Sequence, residues 1–562
     1  MYQPSQDMPL ESFQVISPCE NQTDFRAGQI MRFLIPRSIG FWDPHTSRLQ
    51  LEVSAQNNNY KMCFAHSCGA ASLIDMVRVS QNGIVISETT EYATLNNLFT
   101  LYSDSLSIRQ RNSVQNGARD YVGQFGDGTQ YPGGADGAAV TNSPLRQRDW
   151  TQGAILGEPL NGNSTSSTTE GLERTPKKYQ LELRGIGLFE LLEVVPSVAL
   201  GDILIEIRLV SNNRDALIVH PATARPITVA TMAGAQTTIT LSPPFVGFNN
   251  LADSPLVTGM RIDAAVDATG VPLGTAGDTR IITALSQADD TGVITITPNA
   301  ALAAAFTTST IVITEGTRTV TGPGGAAAAP ANLVNLTPAT SFVVSRASML
   351  LQVIRPPVQY LESISAKVQE GLMLDLNTYT TYRSSIQTGI RQATLDIPAM
   401  MSRAKAIFTV PRQQTQGEFG ANYSSNNLTA SNLMGQYDGL LRYRTQIGEL
   451  YYPNQPVQLD QFVKPLNARF SAQHIVELEK ALEASIIPMR SLKSCKQCFV
   501  IPRVLAKYGA SVNLEKGVRL YLEYNQNGPQ DPQGNAVSLD AVTFVNHINR
   551  IMITPAGIQV LS

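Results

Sequence analysis

Two stretches far apart in the chain carry the same alternation, and this constrains the fold more than anything else in the sequence. In residues 202–210, DILIEIRLV, the apolar Ile203, Ile205, Ile207 and Leu209 alternate with Leu204, Glu206 and Arg208. Residues 517–525, GVRLYLEYN, alternate in the same way, with Leu520 and Leu522 on the apolar side. A period of two is that of a strand with one face in a core. Each stretch follows a short apolar or helical segment and precedes a last strand, SMLLQVI (348–354) or NRIMITP (549–555). With residues 227–339 set aside, Leu209 stands as far from Met349 as Tyr524 stands from Ile551. Such an internal repeat predicts two β units in tandem.

Local signals fill in the two units. Leu181 and Leu183 alternate with polar neighbours ahead of the first repeat, and Phe189–Val195 is a short apolar segment with helical character that Pro196 ends. Within 71–87, SLIDMVRVS and IVISE flank Gln81-Asn82-Gly83, and Asn-Gly between β-rich runs predicts a hairpin because both residues accept positive φ. Residues 1–30 form an arm and a first strand. Ile30–Pro36 and Arg48–Ala55 are strands separated by the turn-forming WDPHTS, and Ala404–Val410 and Tyr451–Leu459 are further strands. Leu95, Leu98, Phe99 and Tyr102 make one face of a helix over 91–106, and Ile475, Leu478, Leu482 and Ile486 do so over 471–486. Residues 107–175 are rich in Gly, Ser, Thr and Asn, too long for an ordinary connection, and belong on a surface or at a subunit contact.

The texture changes at 227–339. No lysine falls between Lys178 and Lys367, and short β-runs (QTTITL, VTGMRID, RIITAL, GVITITP, STIVITEG) recur between turn residues before the flexible GPGGAAAAPAN. This predicts an inserted β-sandwich. The division is then 1–226 for a first unit completed by 340–370, 227–339 for the insert, and 371–562 for a second unit.

Composition narrows the function. Charged residues make up only 15% of the 562 and the net charge is -3, so no basic field is available for wrapping nucleic acid. No signal pattern opens the chain, no apolar run reaches a membrane-spanning length, and five cysteines do not make a disulfide framework. The sequons at Asn163 and Asn427 carry no weight without a signal peptide.

Catalytic and metal chemistry finds little support. Cys495-Lys496-Gln497-Cys498 has the spacing of half a zinc site, and Cys63, His66 and Cys68 could supply further ligands only if the two units brought them together. Free thiols are the simpler reading. The histidines His45, His66, His220, His474 and His547 are scattered, and no nucleophile motif accompanies them. Asp24, Asp289 and Asp290 lack a ligand rhythm, Asp531-Pro532 lacks the alternating acids of a calcium loop, and the glycines of 123–137 precede no phosphate-binding helix. Arg391, Arg403, Lys405 and Arg412 form a loose basic set, solvated or facing a subunit rather than DNA. No catalytic, cofactor-binding or metal residue is assigned, and no enzymatic activity is expected.

Taken in order, several runs resemble the double jelly-roll major capsid proteins of polinton-like viruses and virophages, and behind them those of larger icosahedral DNA viruses. In the first half these are SLIDMVRVSQNGIVISETTEYATLNNL, GLFELLEVVPSVALGDILIEIRL and SMLLQVIRPPVQYLESI. In the second they are RAKAIFTVPR, LYYPNQPVQL and GVRLYLEYN followed by AVTFVNHINRIMITPAGIQVLS. The resemblance implies an all-β protein of two tandem eight-stranded jelly rolls, here with a small β-sandwich insertion and a few short helices. It further implies a homotrimer that presents six rolls as a pseudo-hexagon and tiles an icosahedral shell around a DNA genome. Neighbouring capsomers, penton proteins and minor or cement proteins would be its partners, and the virion its location after synthesis in the host cytoplasm. The resemblance names no counterpart for the insert, which could meet a host receptor. A minor capsid or vertex protein, and a β-rich attachment protein that binds carbohydrate, are the alternatives.

Overall fold

The computed structural model describes residues 10–20, 22–55, 62–64, 66–103, 106–118, 176–191, 194–211, 217–219, 225–229, 238–241, 261–267, 280–288, 293–298, 309–314, 342–356, 358–413, 435, 439–459, 471–485, 498–506, 511–530, 536–555 and 557–561. Sixteen strands form two sandwiches and are numbered here. The first set is β1 (Leu10–Ile16), β2 (Ile30–Ile35), β3 (Phe41–Ala55), β4 (Ile74–Gln81), β5 (Ile84–Thr90), β6 (Lys177–Leu181), β7 (Ile203–Leu209) and β8 (Phe342–Arg355). The second is β9 (Leu372–Ile386), β10 (Gln392–Ile397), β11 (Ala404–Gln413), β12 (Leu440–Ile447), β13 (Leu450–Gln458), β14 (Ile501–Val504), β15 (Val518–Tyr524) and β16 (Leu539–Thr554). The helices are α1 (Tyr92–Tyr102), α2 (Leu106–Gln115), α3 (Ser197–Leu200), α4 (Val358–Glu370) and α5 (Ala472–Ala484), with short 3-10 turns between strands.

The sheet orders define the fold. The first unit pairs β1-β8-β3-β6 and β2-β7-β4-β5, all antiparallel. The second pairs β9-β16-β11-β14 and β10-β15-β12-β13, which is the same order with eight added to every strand. Short strands extend two of these sheets, Phe25–Arg26 and Val195–Pro196 in the first and Gly557–Leu561 in the third; the four-stranded paths, facing and connected in this way, are jelly rolls, so the chain is a double jelly roll. Strand direction alternates along the chain. The connections after β1, β3, β5 and β7 therefore gather at one end, called upper here, and those after β2, β4 and β6 at the lower end. The second roll follows the same rule. The long connections 91–176 and 210–341 both leave the upper end of roll one.

Alternation explains the cores. Ile205 and Ile207 on β7 stand opposite Phe33 and Met31 of β2 and Val79 and Val77 of β4, and all six are buried between the sheets. Leu520 and Leu522 of β15 are buried in roll two beside Leu395, Tyr443 and Val545. The hairpin between β4 and β5 turns on Asn82 and Gly83, at φ 48 and 83, the positive values that this two-residue turn requires.

Two local features differ from the sequence reading. WDPHTS is not a break between strands but a bulge inside β3. The register jumps from Leu350 opposite Arg48 to Gln352 opposite Asp43. The Asp43 carboxylate accepts from the His45 N–H and the Thr46 hydroxyl, both at 2.8 Å. Buried Trp42, which donates to Ser197 Oγ at 2.9 Å, anchors the far side of the bulge. The apolar segment expected over 189–195 is a 3-10 turn at Gly187–Glu190, with α3 following Pro196.

Between β7 and β8 the described residues form a short strand, Leu217–Val219, which pairs with Met62–Phe64, and then six more: Arg225–Val229, Ile239–Leu241, Arg261–Asp267, Arg280–Gln287, Ile294–Pro298 and Ser309–Thr314. These six pair as two groups of three, joined among the described residues only where Arg261 and Ile262 meet Ile281 and Arg280. That short shared pairing lets the sheet fold over as a sandwich does at a corner. Ile239, Leu285, Ile294 and Ile296 are its buried apolar residues among those described. The first of these strands starts at Arg225, two residues ahead of the boundary expected from the sequence.

Candidate functional site

The surfaces that organise this molecule are the junction between its rolls and the edges left over. At the junction β5, an edge strand of roll one, runs beside β9, an edge strand of roll two. Thr89 Oγ1 donates to the Tyr379 carbonyl at 3.1 Å, Thr381 Oγ1 donates to the Thr90 carbonyl at 2.8 Å, and Asn549 Nδ2 donates to the Ile86 carbonyl at 3.2 Å. Asn549 stands opposite Leu376 on β9. Residues 86–90 and 376–381 therefore rise together, and both rolls point their upper ends the same way.

Apolar burial fixes this arrangement. Leu376, Ile551, Ile553 and Ile558 of roll two belong to the core of roll one. Above them α1 lies on the outer face of the β9-β16-β11-β14 sheet. Leu95, Leu98, Phe99, Leu101 and Tyr102 pack there with Tyr379, Phe408, Val410 and Phe544 and with Leu478 and Leu482 of α5. The Phe99 and Tyr379 rings meet edge-on at 5.6 Å. Burying each such side chain contributes roughly 1.5–3 kcal/mol. Separating the rolls would expose a core's worth of apolar surface.

An ion-pair network, buried at Arg412 and exposed at Arg383, closes the junction. Arg412 on β11 is almost fully enclosed, reaches Glu91 at 3.1 Å and donates to Thr94 Oγ1 at 3.0 Å. Arg383 on β9 meets Glu91 and Asp540, each at 3.1 Å. Glu91 adopts φ 55, a left-handed conformation that costs a non-glycine residue about 1 kcal/mol. The network holds it there and so sets the entry into α1.

Outside the junction the faces are ion-paired in rows. Across roll one, Arg32 of β2 and Arg78 of β4 flank Glu206 of β7 at 2.9 and 3.4 Å, and Arg78 also meets Glu88 at 2.8 Å. Glu182 is held by Arg48, Arg111 and Arg184. Burial opposes its charge, but the three guanidinium groups outweigh that and keep its pKa below the usual carboxylate value. β1 differs. Phe13 and Val15, at 65% and 59% exposure, stand on the solvent side of an edge strand.

The residues singled out from the sequence do not converge. Cys68 is buried in the first core, its thiol pushed up to about 12 by that burial. Cys498 is buried in the junction core, where its sulfur accepts the Gly435 N–H at 3.1 Å. Cys63 and His66 fall on a short strand and a 3-10 turn. Cys495, His220, Asn163, Asn427, Asp289, Asp290, Asp531 and the glycines of 123–137 lie outside the described residues. Among the described residues no three metal-ligating side chains stand together. The basic set disperses. Arg391 pairs with Glu523, Arg403 with Asp375, and Arg412 with Glu91, while Lys405 is half-buried and its pKa is lowered by desolvation against the pull of Asp375. His45 is exposed, whereas His474 and His547 are buried.

The sequence reading missed β9, the Glu91–Arg412 link and the exposed side of β1. Only the last had a signal, the alternation of Phe13 and Val15 in SFQVI.

No family model and no curated protein matches this chain. Solved structures do. The chain is similar to VP54 of PBCV-1, fitted into a reconstruction of the virophage Sputnik, at 10% identity and a TM-score of 0.47, covering 100% of this chain and 98% of that one. It is similar to the Faustovirus major capsid protein at 9% identity and 0.45, covering 99% and 92%. It is similar to the mavirus major capsid protein at 9% identity and 0.45, covering 99% and 90%.

Proposed function

We propose that this chain is a major capsid protein whose homotrimer forms a pseudo-hexagonal capsomer of six rolls, and that capsomers tile an icosahedral shell around a DNA genome. The observation that supports this is the repeated strand order with both rolls upright and joined head to tail. A head-to-tail contact generates a ring when its rotation closes. In this reading the role is structural, without catalysis. The protein's place is the virion shell, and its partners are neighbouring capsomers, penton proteins and minor capsid proteins. Light scattering on the purified chain should give three chain masses, and a stable monomer at micromolar concentration would count against the proposal.

The domains follow from the same reading: 1–226 with 340–370 as roll one, 371–562 as roll two, and 227–339 as an independent sandwich. The insert leaves between β7 and β8 at the upper end, away from the α4 linker between the rolls. That end would be the outside of the shell, and the insert a tower there for host attachment. Replacing 227–339 with a short Gly-Ser linker should still yield trimers, because closing a loop between ends already at one side of a sandwich costs little. Insolubility of the shortened chain, or failure of insert-directed antibodies to bind intact particles, would remove the tower.

A further inference from the structure

Two sheet faces take no part in the junction. It uses the β5 and β9 edges and the outer face of β9-β16-β11-β14, and among the described residues none on the outer face of β2-β7-β4-β5 or of β10-β15-β12-β13 joins it. On roll one that face carries an apolar row at the lower end. Leu34 stands opposite Leu204, Leu204 opposite Ser80, and Ser80 opposite Val85, close to the Asn82-Gly83 turn. Leu34, Val85 and the adjoining Ile84 are exposed. The row above is the ion-paired Arg32, Glu206, Arg78 and Glu88.

Roll two is furnished differently at the same height. Under the offset of eight, the apolar row corresponds to Asp396, Arg519, Gln446 and Tyr451, with exposed Leu450 beside the last. In the row above, the Arg444 guanidinium lies 4.1 Å from the centroid of the Tyr451 ring and 5.4 Å from that of Tyr521. Arg391, Arg442 and Arg519 of this face meet only Glu523 and Asp396, and among the described residues Arg444 has no carboxylate partner. On roll one the carboxylates Glu20, Asp75, Glu88 and Glu206 outnumber Arg32, Arg78 and Arg208. The two faces are thus opposite in excess charge, and each presents apolar or aromatic side chains at its lower end. Arginine and tyrosine beside apolar side chains are the usual make-up of an interface anchor.

Ring geometry selects which faces meet. Six rolls of two kinds alternate around a three-fold axis, so opposite positions hold unlike rolls. Rings laid side by side in one orientation therefore meet roll one to roll two. A contact between unlike surfaces can repeat without closing, as a growing sheet requires.

We propose that the outer β2-β7-β4-β5 face of one trimer seats on the outer β10-β15-β12-β13 face of the next, with Leu34, Leu204 and Val85 against Leu450 and Tyr451, and Arg444 facing the excess carboxylates. This rests on the trimer reading and names the surface by which trimers join. Sedimentation of the full chain over a concentration series separates single trimers from joined ones. Leu34→Asp with Val85→Asp blocks one face, and Arg444→Glu with Leu450→Asp blocks the other. Each double variant should stay a trimer with native circular dichroism and should need at least about tenfold more protein to join. Mixing the two should restore joining, since each supplies the face that the other lacks. Variants that join like the parent, or a mixture no better than either alone, would overturn the contact while the trimer stands. So would a variant that falls to folded monomers, because its face would then belong to the trimer itself. Parent trimers that never join remove the contact only, and a monomeric parent removes both.

Discussion

Ile207→Asp is expected to yield no soluble, assembled protein. Ile207 is fully buried between Met31 and Val77, with Ile205 two residues away on the same face. The site holds no donor that a carboxylate could use, since its neighbours in the core are apolar. An unpaired buried charge costs several kcal/mol, and a domain's whole margin is only about 5–15 kcal/mol. Roll one would lose its central strand pairings, and β9 with the base of roll two would lose the core that receives Leu376 and Ile551. Ile207→Val, which keeps the face and removes one methylene, should cost about 1 kcal/mol and leave assembly intact. Soluble expression and circular dichroism read both outcomes. A folded, soluble Ile207→Asp would mean that β7 does not turn this face to the core.

Faces of that kind were legible because a strand between two sheets has only one apolar side, so Ile203–Leu209 and Val518–Tyr524 display their burial directly. The junction was not. In α1 the polar Asn96, Asn97 and Thr100 are buried along with Leu95 and Phe99, because roll two covers one side and roll one the other. A helix enclosed all round shows no clean stripe. Strand β9 escaped notice for a related reason. Its second half, TYTTYRSSI, places hydroxyl residues against the other roll, where Thr381 donates to the Thr90 carbonyl. Strand β8 ends at Arg355, just ahead of Pro356 as expected, and α4 begins at Val358. No local pattern marks Glu91 for a left-handed backbone. Only its partners on β9 and β11 explain it.

Mild acid should weaken the fold before the carboxylates titrate, through two buried histidines in roll two. His474 stacks on Phe499 at 5.4 Å, and its Nδ1 lies 2.9 Å from the Tyr443 hydroxyl. His547 places Nε2 2.9 Å from Thr380 Oγ1 between β9 and β11. Burial lowers both to about 4 from 6.5, with a hydrogen bond to Asn549 opposing the shift at His547. The native state therefore holds them neutral, while the unfolded chain takes up protons below about 6.5. Protons then favour unfolding. This stability is complete above pH 6.5, falls as pH drops toward 4, and levels off below that. The full difference is about 3 kcal/mol for each histidine. Asp375 works in the same direction but at lower pH, since its hydrogen bond to Arg550 holds it below the usual aspartate value. Glu190 works the other way, because burial raises its pKa and acid relieves it. Between pH 6.5 and 5 the histidines dominate. Urea midpoints measured at pH 7, 6 and 5 should fall steadily, and in His474→Gln with His547→Gln the decline over that window should largely disappear. An equally steep decline in the double variant would assign the acid sensitivity to other groups.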